Sequence, residues 1–521
     1  MLPPRDMNLE ERDAYRRAFS QTLSLADDRA FLTMLWAVDA LQNGRSEEAL
    51  RHLYAVPAEA ITDDFTDRNA VRGWELETLA NEVLSNPKNP HYRLFDTQRW
   101  ESIANLINVL RRLENAEYGA RRGNVPILRE MYRIGNRQFE WQRGFFDIPQ
   151  FYRYTFIYGQ GDSAEYFRAT YGIDIADMGL MSFALLAAFS DQPIYDRRGD
   201  LGLIGIAPDV RERVLARLTA PVADMRALAT QVRANGADTA YRPSVLRRYP
   251  LISAGHGRRM LHAPLPQLIA ARVTSGLFYD VVDGGGPLRA DYGHRFERYA
   301  ELYLNSALPE LRILPEWRYG PRGRSRDTPD LLSPADGGEA IQLAIECKAT
   351  RMTIAARFGD AAAEEPGYED MARAVVQLWR FFAHCRLGIT GRAVTDDAVG
   401  MVLTLDDWLV MGLPLREDVM ARAETLSREG APDIEDQDRR PIAFVSMDDL
   451  ERTLAAATPT SFREAVRAAG AEQSGWLLSE VHRTRIEPGA PQRGFPFDDE
   501  AVAKLMPWWD LIGKMVDDPR E

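Results

Sequence analysis

Hydrophobic and polar positions follow two different periods along this chain. From about residue 8 to 235 the apolar residues recur three or four apart, the spacing that lines one face of a helix. In "WELETLANEVL" the residues Leu76, Leu79, Ala80, Val83 and Leu84 make such a face. The run "RAFLTMLWAVDALQNGRSEEALRHL" predicts a helix stopped at Gly44, a cap at Ser46 with an acidic first turn, and a second helix. Pairs of helices resemble a tetratricopeptide-like array, but no fixed period recurs, so an irregular helical domain is expected. The most apolar run, "MGLMSFALLAAF" at 178–189, is too short to cross a bilayer and reads as a buried helix.

Beyond residue 241 the texture changes. "YRPSVLRRYPLISAG" carries turn residues and short strand-like runs, and "DGGG" at 283–286 marks a loop. A helix follows in "GHRFERYAELYLNSAL", with Phe296, Ala300, Tyr303, Leu304 and Ala307 as its apolar stripe and Glu297 beside it. Extended segments come next: "ILPEWRYG", "PDLLSP", a polar break with a hairpin at Asp336 to Gly338, and "AIQLAIECKAT". A second helix near 368–387 and the strand candidates "AVGMVLTL" and "IAFVSM" complete an α-β-β-β-α-β order. The expected fold class is multidomain, α plus α/β. Its parts are an α-helical recognition or regulatory region (1–240), a connecting segment (241–290), an α/β domain (291–455) and a C-terminal helical extension (456–521).

Charge and cysteine content narrow the picture. With 77 acidic against 64 basic residues the net charge is −13, so a polyanionic partner must be met by local basic patches and not by the overall field. Cys347 and Cys385 are the only cysteines. That excludes a disulfide scaffold or a cysteine-ligated zinc and fits a reducing compartment. The N-terminal segment is polar and lacks the apolar core of a secretion signal, so a cytoplasmic protein with no membrane partner is expected. The seven histidines are scattered, and there is no H-E-x-x-H, no G-x-S-x-G elbow and no phosphate-binding G-x-x-x-x-G-K-[ST] loop.

The candidate chemistry starts from one lysine. Of the 64 basic residues only Lys88, Lys348, Lys504 and Lys514 are lysines, so a basic position in this chain is lysine once in 16 cases. Lys348 therefore needs a reason. Along "AIQLAIECKAT" the strand period of two sends Ile341, Leu343, Ile345 and Cys347 to one side and Gln342, Ala344, Glu346 and Lys348 to the other. A hairpin would bring Asp330 beside Glu346. Two carboxylates can hold Mg²⁺ (or Mn²⁺) while the ion keeps waters and takes phosphate oxygens. A compact ammonium beside them can orient water or neutralise charge at phosphorus, where an arginine fork needs more room.

These residues resemble the PD-(D/E)xK, or restriction-endonuclease-like, nuclease superfamily. The likeness rests on Pro329-Asp330, on Glu346-Cys347-Lys348 as the E-x-K element, and on "GHRFERY" as the first core helix, and it covers about 290–450. "QLWRF" is similar to the Q-x-x-x-Y element of the RecB-like branch, with Gln377 matching and Phe381 in place of the tyrosine. The resemblance implies a restriction-endonuclease-like core, metal-dependent hydrolysis of nucleic-acid phosphodiesters, and Mg²⁺. Asp330, Glu346, Lys348 and Gln377 would be catalytic, and Glu297, Asp330 and Glu346 metal ligands. DNA is the expected substrate, and a sensor joined to a nuclease suits restriction or anti-phage defence, with a homo-oligomer or regulatory protein as partner.

Each residue also has a plainer reading. Glu346 and Lys348 would make an ordinary cross-strand pair, Asp330 a turn residue after proline, and Glu297 or its neighbour Glu301 a solvated acid. Arg318, Arg322, Arg324 and Arg326 form a basic loop before Asp330 that either steers phosphates or is merely solvated. Arg373, Gln377, Arg380 and His384 share one polar helix stripe, read either as a backbone contact or as a wet face. The aromatic and arginine-rich segment 130–159, including Phe139, Trp141, Phe146 and Phe151, suits single-strand stacking less well than core packing. Two other functions compete: a nuclease-like binding module without turnover, and a helical interaction scaffold.

Overall fold

The computed structural model describes residues 5–121, 127–145, 147–199, 205–254, 259–359, 362–409, 412–473, 475–486, 489–490 and 492–509. Its N-terminal half is built from helices. Asp28–Gln42 begins at Asp27, whose carboxylate accepts from the Arg29 and Ala30 amides. The predicted second helix there shrinks to Ser46–Ala49, and Ser46 is its first residue, not its cap. The helix Gly73–Ser85 is buried almost all round, its acids Glu75, Glu77 and Glu82 included. Those acids are neutralised by arginines from distant segments: Glu75 by Arg111, Glu77 by Arg247, and Glu82 by Arg16 and Arg242. The apolar run at 178–189 lies in the helix Ile175–Asp191, with Met178, Met181, Leu185 and Phe189 buried. No single helix among the described residues is long and apolar enough to cross a membrane.

Helices do not fill this half alone. Strands β1 (Ile194–Asp196) and β2 (Thr219–Pro221) join β3 (Leu251–Ala254) and β4 (Met260–His262) in a four-stranded sheet of order β1-β4-β3-β2. Residues 241–290, read from the sequence as a connecting segment, thus supply two strands to the helical half. β1 and β2 are three residues each, too short to show a period of two.

The second sheet has five strands in the order β11-β10-β9-β8-β5. They are β5 (Leu314–Pro315), β8 (Leu331–Pro334), β9 (Ile341–Lys348), β10 (Val394–Thr404) and β11 (Ile442–Ser446). β6 (Arg318–Tyr319) and β7 (Arg326–Asp327) form a separate small hairpin between β5 and β8. β5 and β8 are antiparallel, as are β8 and β9, while β9, β10 and β11 run parallel. With the helix Gly286–Ala307 ahead of β5 and the helix Pro366–Arg386 between β9 and β10, the chain follows an α-β-β-β-α-β order, and β11 extends the sheet. The parallel step from β9 to β10 needs a crossover, which the helix Pro366–Arg386 provides.

Both faces of this sheet are covered. Leu343, Ile345, Cys347, Met401, Leu403 and Val445 pack into a core shared with the helix Gly286–Ala307 and the N-terminal helices. Leu332, Ala344, Val402 and Ile442 pack with Val375, Leu378 and Phe382 of the crossover helix. The apolar core therefore continues from the helical half into one face of the sheet. β9 is buried along nearly its whole length, as a central strand of a covered sheet must be.

Candidate functional site

Register decides what meets what at the end of β9. Leu331 pairs with Ile345, which sets Asp330 opposite Glu346 at the mouth of the hairpin. The Cys347 amide donates to Asp330 Oδ2 at 2.6 Å, and Lys348 Nζ donates to Glu346 Oε1 at 2.7 Å. Glu346 is 3% exposed, whereas the Lys348 side chain keeps 23% of its surface. The carboxylate is thus sunk between sheet and helix, and the ammonium closes it from the solvent side.

Burial drives the electrostatics. It raises the Asp330 carboxyl well above the usual range, and the charges of Glu346 and Glu297 raise it further. Glu346 is also raised by burial, against the opposing pull of Lys348. Burial disfavours the Lys348 ammonium, but Glu346 outweighs that and lifts its pKa. Two facing carboxylates share one ammonium. The pair holds a proton more tightly than separate acids would, or it takes up a cation in its place.

Two more acids join the cluster. Glu297, on the helix Gly286–Ala307, acts on Asp330, Glu346 and Glu316, and His294 Nδ1 lies 3.1 Å from its Oε2. Its neighbour Glu301 is bound instead to Arg298. Glu316 follows β5, and its carboxyl is raised by burial, then by Glu297 and Asp327. Sequence reading missed Glu316 because it sits in "LPEWRY" without a motif. Its one signal was an acid between two strand segments.

Among the described residues no three histidine, cysteine or carboxylate side chains form a ready-made metal cage. A divalent cation that keeps its waters needs only one or two carboxylates. Glu346 Oε2 is buried and accepts no hydrogen bond. That orphaned oxygen, the excess of negative charge and the hard-oxygen donor set fit Mg²⁺ held by Asp330 and Glu346, with Glu297 within the same field.

The basic residues are distributed unequally. Arg318 forks onto Asp327 at 2.9 and 3.1 Å, so that part of the loop is already neutralised. Arg322 and Arg324 are exposed at the turn of the hairpin and carry no ion pair among the described residues. Arg326 faces Arg380, whose guanidinium pKa is lowered by burial and then by Arg326. His384, far from being a wet-face residue, is buried and bonded through Nδ1 to the Tyr319 hydroxyl at 2.8 Å, which fixes the hairpin on the crossover helix. Arg373 is exposed, 3.5 Å from Glu369. Gln377 is exposed as well, and no hydrogen bond among the described residues ties it to the acidic cluster; Phe381 is buried in the core.

Most of the aromatic segment packs inward: Phe145, Phe151, Tyr152, Tyr154 and Tyr158 are buried, Phe139, Trp141 and Phe156 are half-buried, and Phe146 lies outside the described residues. No family model, no curated protein and no solved structure matches the chain.

Proposed function

We propose that the protein is a metal-dependent nuclease of the restriction-endonuclease-like kind, hydrolysing nucleic-acid phosphodiesters, with DNA as the expected substrate. The observation that carries this reading is the β8–β9 register, in which Leu331 pairs with Ile345 so that Asp330 comes beside Glu346, with Lys348 bonded to Glu346. An α-β-β-β-α-β order around a mixed sheet supports it. Asp330 and Glu346 would hold Mg²⁺ or Mn²⁺, which when bound polarises a phosphoryl oxygen and acidifies water. Lys348 donates to Glu346, opposing the rise that burial gives its carboxyl, and places a positive charge where negative charge grows at phosphorus. Arg326 and Arg380, two guanidiniums with no bonded acid among the described residues, suit a phosphate of the substrate backbone. A helical half joined to such a centre suits restriction or anti-phage defence, with the helices as the part that senses or recruits.

The test is incubation of wild-type and Lys348→Ala protein with supercoiled plasmid, linear duplex, single-stranded DNA and RNA, each with Mg²⁺, Mn²⁺ or EDTA. Cleavage that requires metal and is lost in the variant supports the reading and identifies the substrate. Salt-sensitive binding without cleavage, from folded protein, would instead indicate the binding module.

A further inference from the structure

A second polar site lies outside the acidic cluster. The parallel strands β9, β10 and β11 end at Lys348, Thr404 and Ser446, and the residues that follow them open into a crevice. Arg351, Leu405, Asp406, Asp407 and Asp448 form its floor. The helices Ile127–Arg143 and Ile148–Tyr158 roof it with Phe139, Arg143, Arg153 and Tyr154. Neither Asp330 nor Glu346 lines it. The crevice beyond the carboxyl ends of parallel strands is where open α/β sheets take ligands.

The acids of this crevice are already engaged. Asp406 accepts from Arg351 at 2.6 Å and from the Met352 amide at 3.2 Å. Asp407 is paired with Arg143, and Asp448 lies 2.9 Å from Arg452. Glu140 is held by Arg247, and Asp147 caps its helix at the Gln150 amide. The arginines are used only in part: Arg153 is bound to Glu451, and Arg351 donates to Asp406 and to the Tyr154 hydroxyl, but each keeps a donor unmet among the described residues. Arg153 and Arg351 are 2% and 8% exposed, and the Nε of each is buried without an acceptor. Arg357 has the same unmet Nε, and its nearest carboxylate oxygen, on Glu140, is 3.7 Å away. Among the described residues lining the crevice, Asp407 Oδ1 is the acceptor likewise left unmet.

A buried donor without an acceptor destabilises the site that holds it. The group that satisfies several at once is rich in oxygen acceptors and carries no donor of its own. About 80 Å³ of the crevice admits water-sized groups, room for roughly five to eight of them at about 10–15 Å³ each. A phosphate fits. We propose that this crevice binds a phosphorylated small ligand, the phosphate seated among Arg153, Arg351 and Arg357, with the half-buried ring of Phe139 available to an attached ring. This inference is independent of the nuclease reading.

The experiment is equilibrium binding of inorganic phosphate and of adenosine monophosphate to the full chain, by calorimetry without divalent metal. Arg357→Gln and Arg452→Gln probe the crevice, and Arg428→Gln, at a distant exposed ion pair, is the control. Circular dichroism establishes that each variant is folded. Saturable binding is expected, weakened about tenfold or more in Arg357→Gln, the loss of one charge-assisted hydrogen bond, and unchanged in Arg428→Gln. Tighter binding of the nucleotide than of phosphate would assign the ring to the aromatic wall; equal binding would restrict the ligand to its phosphate. No saturable binding at millimolar ligand, or binding by Arg357→Gln as strong as by wild type, would overturn the proposal.

Discussion

Replacing Asp330 by Asn tests whether the facing carboxylates form a charged, cation-seeking pair. The substitution preserves the acceptor for the Cys347 amide, which Asp330 Oδ2 meets at 2.6 Å, and removes only the charge. Unit charges about 5 Å apart, the spacing of side chains directly opposite on antiparallel strands, repel by about 3 kcal/mol at an effective dielectric of about 20. Lys348, 2.7 Å from Glu346, cancels part of that, leaving about 1–2 kcal/mol of relief. For 521 residues the unfolding entropy makes this a rise of about 1–2 °C in melting temperature. The sign with pH follows from the raised carboxyls. Their stabilising contribution is complete below the unfolded values of about 4 and is lost as pH rises through the higher folded values. Asp330→Asn should therefore gain over wild type at alkaline pH and little near pH 4, the unfolded value, in metal-free buffer. Mg²⁺ should raise the melting temperature of wild type and leave the variant unmoved. Equal Mg²⁺ stabilisation of both proteins, or a variant destabilised alike at both pH values, would refute the reasoning.

Other expectations follow from the same geometry. Lys348→Arg should lower metal-dependent cleavage about 100-fold or more, close to Lys348→Ala, because a planar fork cannot take the ammonium's place on Glu346; cleavage rates on the preferred substrate decide it. Arg326→Ala and Arg380→Ala should each reduce the salt dependence of nucleic-acid affinity by about one unit of slope. Arg318→Ala, already neutralised by Asp327, should change it less, as filter binding across a salt series would show. Gly400→Ala should destabilise by about 1–3 kcal/mol, since its Cβ would stand 2.5 Å from Ile442 Cδ1 and 3.2 Å from Leu378 Cδ1; urea unfolding measures it.

Sequence alone determined what depends on neighbours along the chain. The period of three to four marked the helices, and the period of two gave β9 its alternation from Leu343 onward, so Glu346 and Lys348 were assigned one side before any fold was known; Ile341, expected beside Leu343, packs instead with Ala344 on the other face, beyond an irregularity in the β8–β9 register. The break at Asp336 to Gly338 foretold the β8–β9 hairpin, and with it the approach of Asp330 to Glu346; Gly337 adopts a φ of +67° there. The scarcity of lysine singled out Lys348.

Tertiary structure decided what depends on partners far away in sequence. Glu316 enters the acidic cluster only because β5 lies beside β8. Glu297 and Glu301 lie one turn apart on the same face of their helix; what separates them is that the charge of Glu297 reaches Asp330 and Glu346 while Glu301 is bound to Arg298. His384 lost its solvent to Tyr319, from a hairpin no periodicity could place against that helix. The arginine crevice is formed by strand ends and helices whose residues lie hundreds of positions apart, as Arg143 on Asp407 illustrates. Local propensity sets each segment's shape, but burial and charge pairing act between segments, and only their packing brings those groups together.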